Sequence, residues 1–375
     1  MSLVREVLGI VSEQLHLIPR ENVWELPQDY EPVVPAGFDV RQIVLCRGSL
    51  STPERESFVR RICGAFPAAK IVEQLDTVHN RVELHEPEPA HRVARGKQTL
   101  VFGELSPKHA VWDGGGREAP YFHRRRLSLC GFCFYACRFC YLAGRDAVWH
   151  SPTVKIFVNL TEIMDEAERH IRRSEQPLEF CIGELQDGLS LDPLTAYSSV
   201  LVPFFAQQRN ACLEIRTKST AVERLLALDH GQRTLLSWTL NPPEVARSYE
   251  VGAPPVEERI AAMQRCVEAG YRLRASIMPV IPLGDWKRRY LDFVAHLLEQ
   301  IPLERLALGG ITIDERTRRL LELRMGTENV ISAHLRECSD GQWHYSPALC
   351  RDLFQQVRRL TKRMQPDIEV EVVIP

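Results

Sequence analysis

Apolar and polar positions along this chain alternate between two periods. Short continuous apolar runs, Gln42-Ile-Val-Leu-Cys46, Lys70-Ile-Val-Glu-Gln-Leu75 and Gln98-Thr-Leu-Val-Phe-Gly103, have the length and β-branched content of strands. Between the first two, Thr52-Pro53 with Glu54 and Glu56 predicts a helix start, Thr as N-cap and Pro in the first turn. Phe58, Ile62 and Phe66 fall on one face of that helix. The strand–helix–strand unit predicts a small α/β domain over residues 41–120. Residues 1–40 precede it as an extension that opens on a short amphipathic stretch and becomes loop-like around Pro27, Pro32 and Pro35.

Beyond residue 140 the two periods take turns regularly. Strands are expected at Glu179–Leu185, Leu213–Lys218, Thr234–Asn241, Leu273–Pro279 and Leu306–Ile313. Helices are expected from the capping-box-like Asn159-Leu-Thr-Glu162, over Pro193–Gln208, briefly from Thr220, from Pro254-Pro255 to Gly270, and over Trp286–Gln300. Alternation with short connections predicts parallel strands joined by crossover helices. About six such units, fewer than the eight of a closed barrel, give the expected fold. It is an α/β chain with a partial (β/α)6 TIM-type barrel over 121–315, a small N-terminal α/β domain and a short C-terminal α/β extension over 316–375. Glu184, Lys218, Thr239 and Asn241 stand at strand ends and would share one mouth.

Composition adds little restriction. At 45% hydrophobic and 26% charged residues the chain reads as globular. A net charge of −2 argues against a wholesale polyanion binder. Local basic clusters remain at His123-Arg-Arg-Arg126, Lys287-Arg-Arg289, Arg316-Thr-Arg-Arg319 and Arg358-Arg-Leu-Thr-Lys-Arg363. The last alternates with Phe354, Val357, Leu360 and Met364, so it reads as the solvated face of an amphipathic helix. No apolar run is long enough to span a bilayer, and the first residues lack a signal-peptide core. With mostly single cysteines, a reducing cytoplasm is the expected location.

The chemistry concentrates at Leu129-Cys-Gly-Phe-Cys-Phe-Tyr-Ala-Cys-Arg-Phe-Cys-Tyr-Leu-Ala-Gly144, which holds four of the 11 cysteines. Thiolates are the ligands that soft iron centres select. Cys133-x3-Cys137-x2-Cys140 can hold three irons of a cubane cluster and leave the fourth open. A four-cysteine zinc knuckle, Cys130-x2-Cys133 with Cys137-x2-Cys140, is the alternative, although such pairs usually stand a dozen or more residues apart. Upstream, Asp113-Gly-Gly-Gly-Arg117 reads as a flexible turn and only weakly as a phosphate loop.

The three-cysteine spacing is the signature of the radical S-adenosylmethionine (SAM) superfamily, and the chain resembles its spore photoproduct lyase-like branch. The resemblance is carried by Arg95-Gly-Lys-Gln-Thr-Leu-Val-Phe-Gly103, Cys140-Tyr-Leu, Phe157-Val-Asn-Leu-Thr-Glu-Ile163, Asp187 with Leu191-Asp-Pro-Leu-Thr195, Arg216-Thr-Lys218, Thr239-Leu-Asn241 and Tyr249-Glu-Val-Gly252. It implies a [4Fe–4S] cluster on Cys133, Cys137 and Cys140, with SAM on the fourth iron. Gly183 and Glu184, Lys218, Thr239 and Asn241 would hold SAM, and Tyr141 would stack on adenine or serve a later radical step. Tyr141 and Glu184 are thus the candidate catalytic residues. The implied partners are a reductant such as a flavodoxin or ferredoxin, and DNA bearing an ultraviolet-induced thymine lesion. A different nucleotide or a small molecule is the alternative substrate. The family's hydrogen-returning cysteine has no counterpart among Tyr141 to Gly144. Cys181, the nearest downstream thiol, is expected by alternation on the strand face opposite Glu184. Trp343 and Tyr345 are candidates for an aromatic wedge into DNA.

Overall fold

The computed structural model describes residues 24–113 and 123–373; the amphipathic opening of the chain and the glycine turn at 114–116 lie outside the described residues. Strands β1 (Gln42–Cys46), β2 (Lys70–Gln74) and β3 (Thr99–Gly103) lie parallel in the order β2-β1-β3. Helix Pro53–Gly64 connects the first two and starts as expected: Thr52 Oγ1 accepts from the Arg55 N–H at 3.3 Å, with Pro53 in the first turn. Phe58, Val59 and Ile62 bury its inner face.

A second sheet then begins with the antiparallel pair β4 (Val111–Asp113) and β5 (His123–Leu127). The chain returns to the first sheet through β6 (Cys130–Gly131) and β7 (Val154–Phe157), which lies parallel to β3. It crosses back for good at β8 (Leu178–Ile182), followed by β9 (Ala211–Thr217), β10 (Thr234–Thr239), β11 (Arg272–Ile277) and β12 (Arg305–Gly309). These five with β5 are the six parallel strands expected. Short strands β13 (Thr312–Ile313), β14 (Leu335–Glu337) and β15 (Trp343–Tyr345) make a small antiparallel sheet, and β16 (Glu369–Val373) returns as a seventh parallel strand against β12. The cysteine loop, from Cys133 to Cys140, therefore connects two strands of the first sheet just after the chain has left the second.

Cross-strand ion pairs show that the second sheet curls. Arg124 on β5 meets Glu214 on β9 at 2.6 Å, although β8 lies between them. Arg274 on β11 meets Glu179 on β8 at 2.8 Å across two intervening strands. Such pairs form only across the concave side of a barrel wall. The usual filling of a barrel interior is bulky aliphatic; here the buried Arg124, Glu179, Glu214 and Arg274 form a chain of ion pairs across strands, and the buried Arg305 pairs with Glu369 and Glu371 of β16.

Three expected helical features differ, each for a local reason. The run from Pro193 to Gln208 is two helices, Asp192–Thr195 and Ser198–Ala206, broken at Ala196 (φ 52°). Asp192 accepts from Ser198 N and Oγ at 2.8 and 2.7 Å, an alternative to continuing the helix. Asn159 precedes helix Leu160–Arg173 without capping it, because its amide bonds both the N–H and C=O of Leu105, and Glu162 pairs with Arg55. The helix from Thr220 reduces to a 3₁₀ turn, Leu225–Ala227. Among the described residues no helix is long and apolar enough to cross a membrane.

Candidate active site

The cysteine loop is fixed through its backbone on three sides. Phe132, at φ 59°, donates its N–H to Leu185 O after β8 at 2.9 Å. Ala136 and Arg138 donate to Val251 O and Tyr249 O at 2.7 and 2.8 Å. On the third side, helix Glu315–Met325 presents Thr317 Oγ1 to Tyr141 O at 3.2 Å. A Cβ on Gly144 would lie 2.1 Å from that same hydroxyl, so only glycine lets the helix approach here. The C-terminal segment thus closes over the loop, a contact with no signature in sequence.

Cys133, Cys137 and Cys140 line one open cavity of about 480 Å³ together with Tyr141, Gly183, Glu184, Lys218 and Thr239. Cys130 instead lines a separate small cavity with Leu191 and Tyr197, so the four-cysteine set of a zinc knuckle is not assembled. Burial pushes the Cys137 thiol up to about 12 and raises that of Cys133 too. Lys97 sits beneath the loop, donating to Cys133 O at 2.6 Å and to Tyr135 O, with its ammonium 4.2 Å from the centre of the Phe132 ring. Burial lowers its pKa, opposed by the negative charge of Cys140, Cys133 and Cys137 as thiolates. Three soft donors on one cavity beside a buried cation fit a thiolate-bound, anionic iron–sulfur cluster.

The opposite side of the mouth is built at the ends of β8 and β9. Gly183, at φ 105°, turns the chain where a Cβ would meet Arg216 O at 2.2 Å. Asp187 clamps the two strand ends, its Oδ1 accepting from Thr217 Oγ1 at 2.6 Å and its Oδ2 from Lys218 N at 2.6 Å. That leaves the Lys218 ammonium in the cavity, with Glu250 as the nearby carboxylate. Burial would raise the pKa of Glu250, but the charges of Lys218 and Arg259 pull it below the ordinary carboxylate value. Arg259 reaches Glu250 at 2.5 Å and the Thr239 carbonyl at 3.2 Å.

The residues expected at the site divide accordingly. Tyr141, Gly183, Glu184, Lys218 and Thr239 line the cavity with the three cysteines. Asn241 does not: it is fully buried, its amide donating to Glu250 Oε1 at 3.0 Å and accepting from Tyr290 OH at 2.8 Å. Its place is behind Lys218, holding Glu250. The Glu184 carboxylate is bound by Arg126 at 2.7 Å and Arg124 at 3.5 Å, and Tyr141 OH donates to the Glu184 carbonyl at 2.6 Å. Lys97, Asp187 and Glu250 stand in the stretches that carry the resemblance, but no role was expected of them, since a Lys at a helix end or an Asp in a loop names no ligand by itself.

A sequence profile of the spore photoproduct lyase family matches residues 55–320, well over half of the chain. The chain belongs to that family. Spore photoproduct lyase of Bacillus subtilis is 27% identical over 228 residues, 60% of this chain and 63% of that protein. The Geobacillus enzyme of the same name is 26% identical over 234 residues, 62% of this chain and 64% of that protein. The chain thus spans less than two thirds of either relative. Among solved structures, a cysteine-to-alanine variant of spore photoproduct lyase superposes with a TM-score of 0.78 at 22% identity, covering 91% of this chain and all of that one. Another, described with bound AdoMet and dinucleoside spore photoproduct, gives 0.76 at 23% identity over 89% of this chain and 98% of that one. The shared fold is the partial barrel of radical SAM enzymes.

Cys181 is not opposite Glu184. The turn at Gly183 breaks strand alternation, and the fully buried thiol lies among Arg216, Glu214, Arg124 and Glu184 inside the barrel. The expected wedge is not exposed either: Tyr345 is buried and Trp343 lies beneath Arg318, 4.5 Å from its ring centre. Two basic clusters are committed to ion pairs, Arg124 and Arg126 in the barrel and Arg316, Arg318 and Arg319 with Asp146, Glu315 and Glu322. In a third, Lys287 pairs with Asp352.

Proposed function

We propose that this chain is a radical SAM enzyme acting as a spore photoproduct lyase, splitting the methylene-bridged thymine dimer that ultraviolet light forms in DNA. The observation that carries the reading is the convergence of Cys133, Cys137 and Cys140 with Gly183, Glu184, Lys218 and Thr239 around one cavity. Cys133, Cys137 and Cys140 would hold a [4Fe–4S] cluster. Lys218 would pair with the methionine carboxylate of SAM, and the backbone at Gly183 and Glu184 would receive its ammonium. Thr239, anchored through its carbonyl by Arg259, would face the same ligand. When bound, the cluster and SAM supply a one-electron cleavage that generates a hydrogen-abstracting 5′-deoxyadenosyl radical; a flavodoxin or ferredoxin would provide the electron.

The chain's own residues do the rest. Tyr141, held over the mouth by Glu184 O and Thr317, shields the reacting centre from water and would present its ring to adenine or to the substrate. Arg145 lines the same cavity and would offer charge to a substrate phosphate. A modified nucleotide or small-molecule substrate is the second reading, favoured by the burial of Cys181 and by the ion-paired state of the basic clusters.

The deciding experiment is anaerobic reconstitution followed by incubation with dithionite, SAM and lesion-bearing DNA. About four iron and four sulfide per chain and recovery of thymine are expected. Cluster formation with SAM cleavage but no thymine would transfer the assignment to the second reading. Stoichiometric zinc with no iron uptake would defeat both.

A further inference from the structure

We infer that Lys97 is the counter-charge of the iron–sulfur cluster and sets the ease with which it accepts its electron. The inference rests on the cluster reading above and goes beyond it by assigning the residue that tunes the centre.

Lys97 ends helix Pro89–Lys97, and Gly96 is what lets that helix close in: a Cβ there would lie 1.9 Å from Pro152 O. The close approach drives the Lys97 side chain under the cysteine loop, where it meets Cys133 O at 2.6 Å, Tyr135 O and the Phe132 ring. Cys140, Cys133 and Cys137 all lie near enough for thiolate charge on them to act on its ammonium. Among the described residues no carboxylate lies within ion-pair reach of it. Buried charges are ordinarily paired or bound to metal, and a lysine held by two carbonyls and a ring has only half of that. Arg324, on helix Glu315–Met325, differs: Cys140 and the Glu88 carboxylate both act on its charge.

A cubane with three thiolate ligands is anionic, and gaining one electron from an external donor, which is oxidised by one electron, adds a further negative charge. A buried ammonium beside the loop favours that charge, since net charge and hydrogen bonding around the sulfurs govern such potentials. Lys97 is a positioning and charge-compensating residue; it does not touch the substrate cavity.

The test compares wild type with Lys97→Gln, which keeps a hydrogen-bond donor but removes charge, and with Lys97→Arg, which keeps both. Each is reconstituted anaerobically and titrated with dithionite, followed by EPR. The Gln variant should be at least tenfold harder to reduce, a shift of about 59 mV to more negative potential for a one-electron couple, while Arg stays near wild type. Iron loading lost in Gln and kept in Arg supports the inference equally, because charge is what separates them. Equal potentials in loaded wild type and Gln overturn it while leaving the cluster intact. Equal loss of loading in Gln and Arg also overturns it, reducing Lys97 to a matter of shape. Wild type that takes up no iron defeats the cluster reading itself, and this inference with it. Thermal melting of the apo proteins gives a second readout: apo Gln should melt above apo wild type, whose ammonium lacks its counter-charge, and a lower melt would count against the inference.

Discussion

Gly183 lies so close to Arg216 that a Cβ on it would stand 2.2 Å from the Arg216 carbonyl oxygen, at a backbone φ of 105°. The turn at Gly183 brings Glu184 round to the inner side that Cys181 on β8 already faces. Gly183→Ala should cost more than the roughly 1–3 kcal/mol of a strained backbone position, because the clash is with backbone. Both Tm and SAM affinity, measured calorimetrically, should fall together. Unchanged SAM binding in a destabilised variant would separate the turn from the cofactor site.

Lys218 should behave in the opposite way. Its ammonium faces the cavity while its backbone is held by Asp187, and the buried Glu250 that it helps to balance keeps Arg259 at 2.5 Å, so Lys218→Met should cost the fold less than the roughly 3–5 kcal/mol of a broken buried pair. SAM binding should weaken by an order of magnitude or more, equivalent to about 1.4 kcal/mol or more. Equilibrium dialysis against SAM decides this, and retained affinity would remove Lys218 from the site.

The barrel interior makes a stability prediction independent of catalysis. Arg274→Met leaves the Glu179 carboxylate, fully buried and bonded to Arg274 at 2.8 Å, without its partner. A loss of about 3–5 kcal/mol is expected from breaking a buried pair on one side. Adding Glu179→Gln should recover part of it, giving a coupling energy in a double-mutant cycle. Urea unfolding of the four proteins measures the coupling; additive losses would show that the pair is not coupled.

Lys155 gives a pH signature. Its ammonium is buried on β7, donating to Ser151 O and Thr153 O at 2.6 and 3.0 Å, with Cys46 and His79 as the titratable neighbours. Burial drops its pKa from 10.5 to about 7. Below pH 7 the folded and unfolded chains both carry the proton, and folding bears the full cost of burying it. From pH 7 to about 10.4 the unfolded chain binds a proton that the folded chain has released. Stability should therefore rise with pH, by at most about 1.4 kcal/mol per pH unit. Lys155→Met should lack this slope. Parallel stability curves for the two proteins across pH 6–9.5 would show that Lys155 stays charged.

Much of the fold was legible from the sequence by itself, because period and end signals are local. The runs around Ile43, Ile71 and Leu100, the Thr52-Pro53 start and the apolar faces of Trp286–Gln300 and Pro347–Met364 all predict elements that the structure contains. The ligand cysteines were legible for the same reason, since their spacing is a property of one short loop. What tertiary structure alone decided is everything that depends on strands curling past their neighbours. Alternation placed Cys181 away from Glu184, and a glycine turn reversed that. Asn241 stands at a strand end like Thr239, yet Tyr290 and Glu250 draw its amide into the core. The tripled arginine of β5 reads as a basic cluster until the barrel closes round it and Glu184, just after β8, and Glu214 on β9 supply partners for Arg126 and Arg124. Lys97 lies 36 residues before the first ligand cysteine and becomes its neighbour only because β7 returns to the first sheet and carries the loop with it. Spacing along a chain reports neighbours within a helix or strand; charge pairs and close approaches between elements belong to the packed fold.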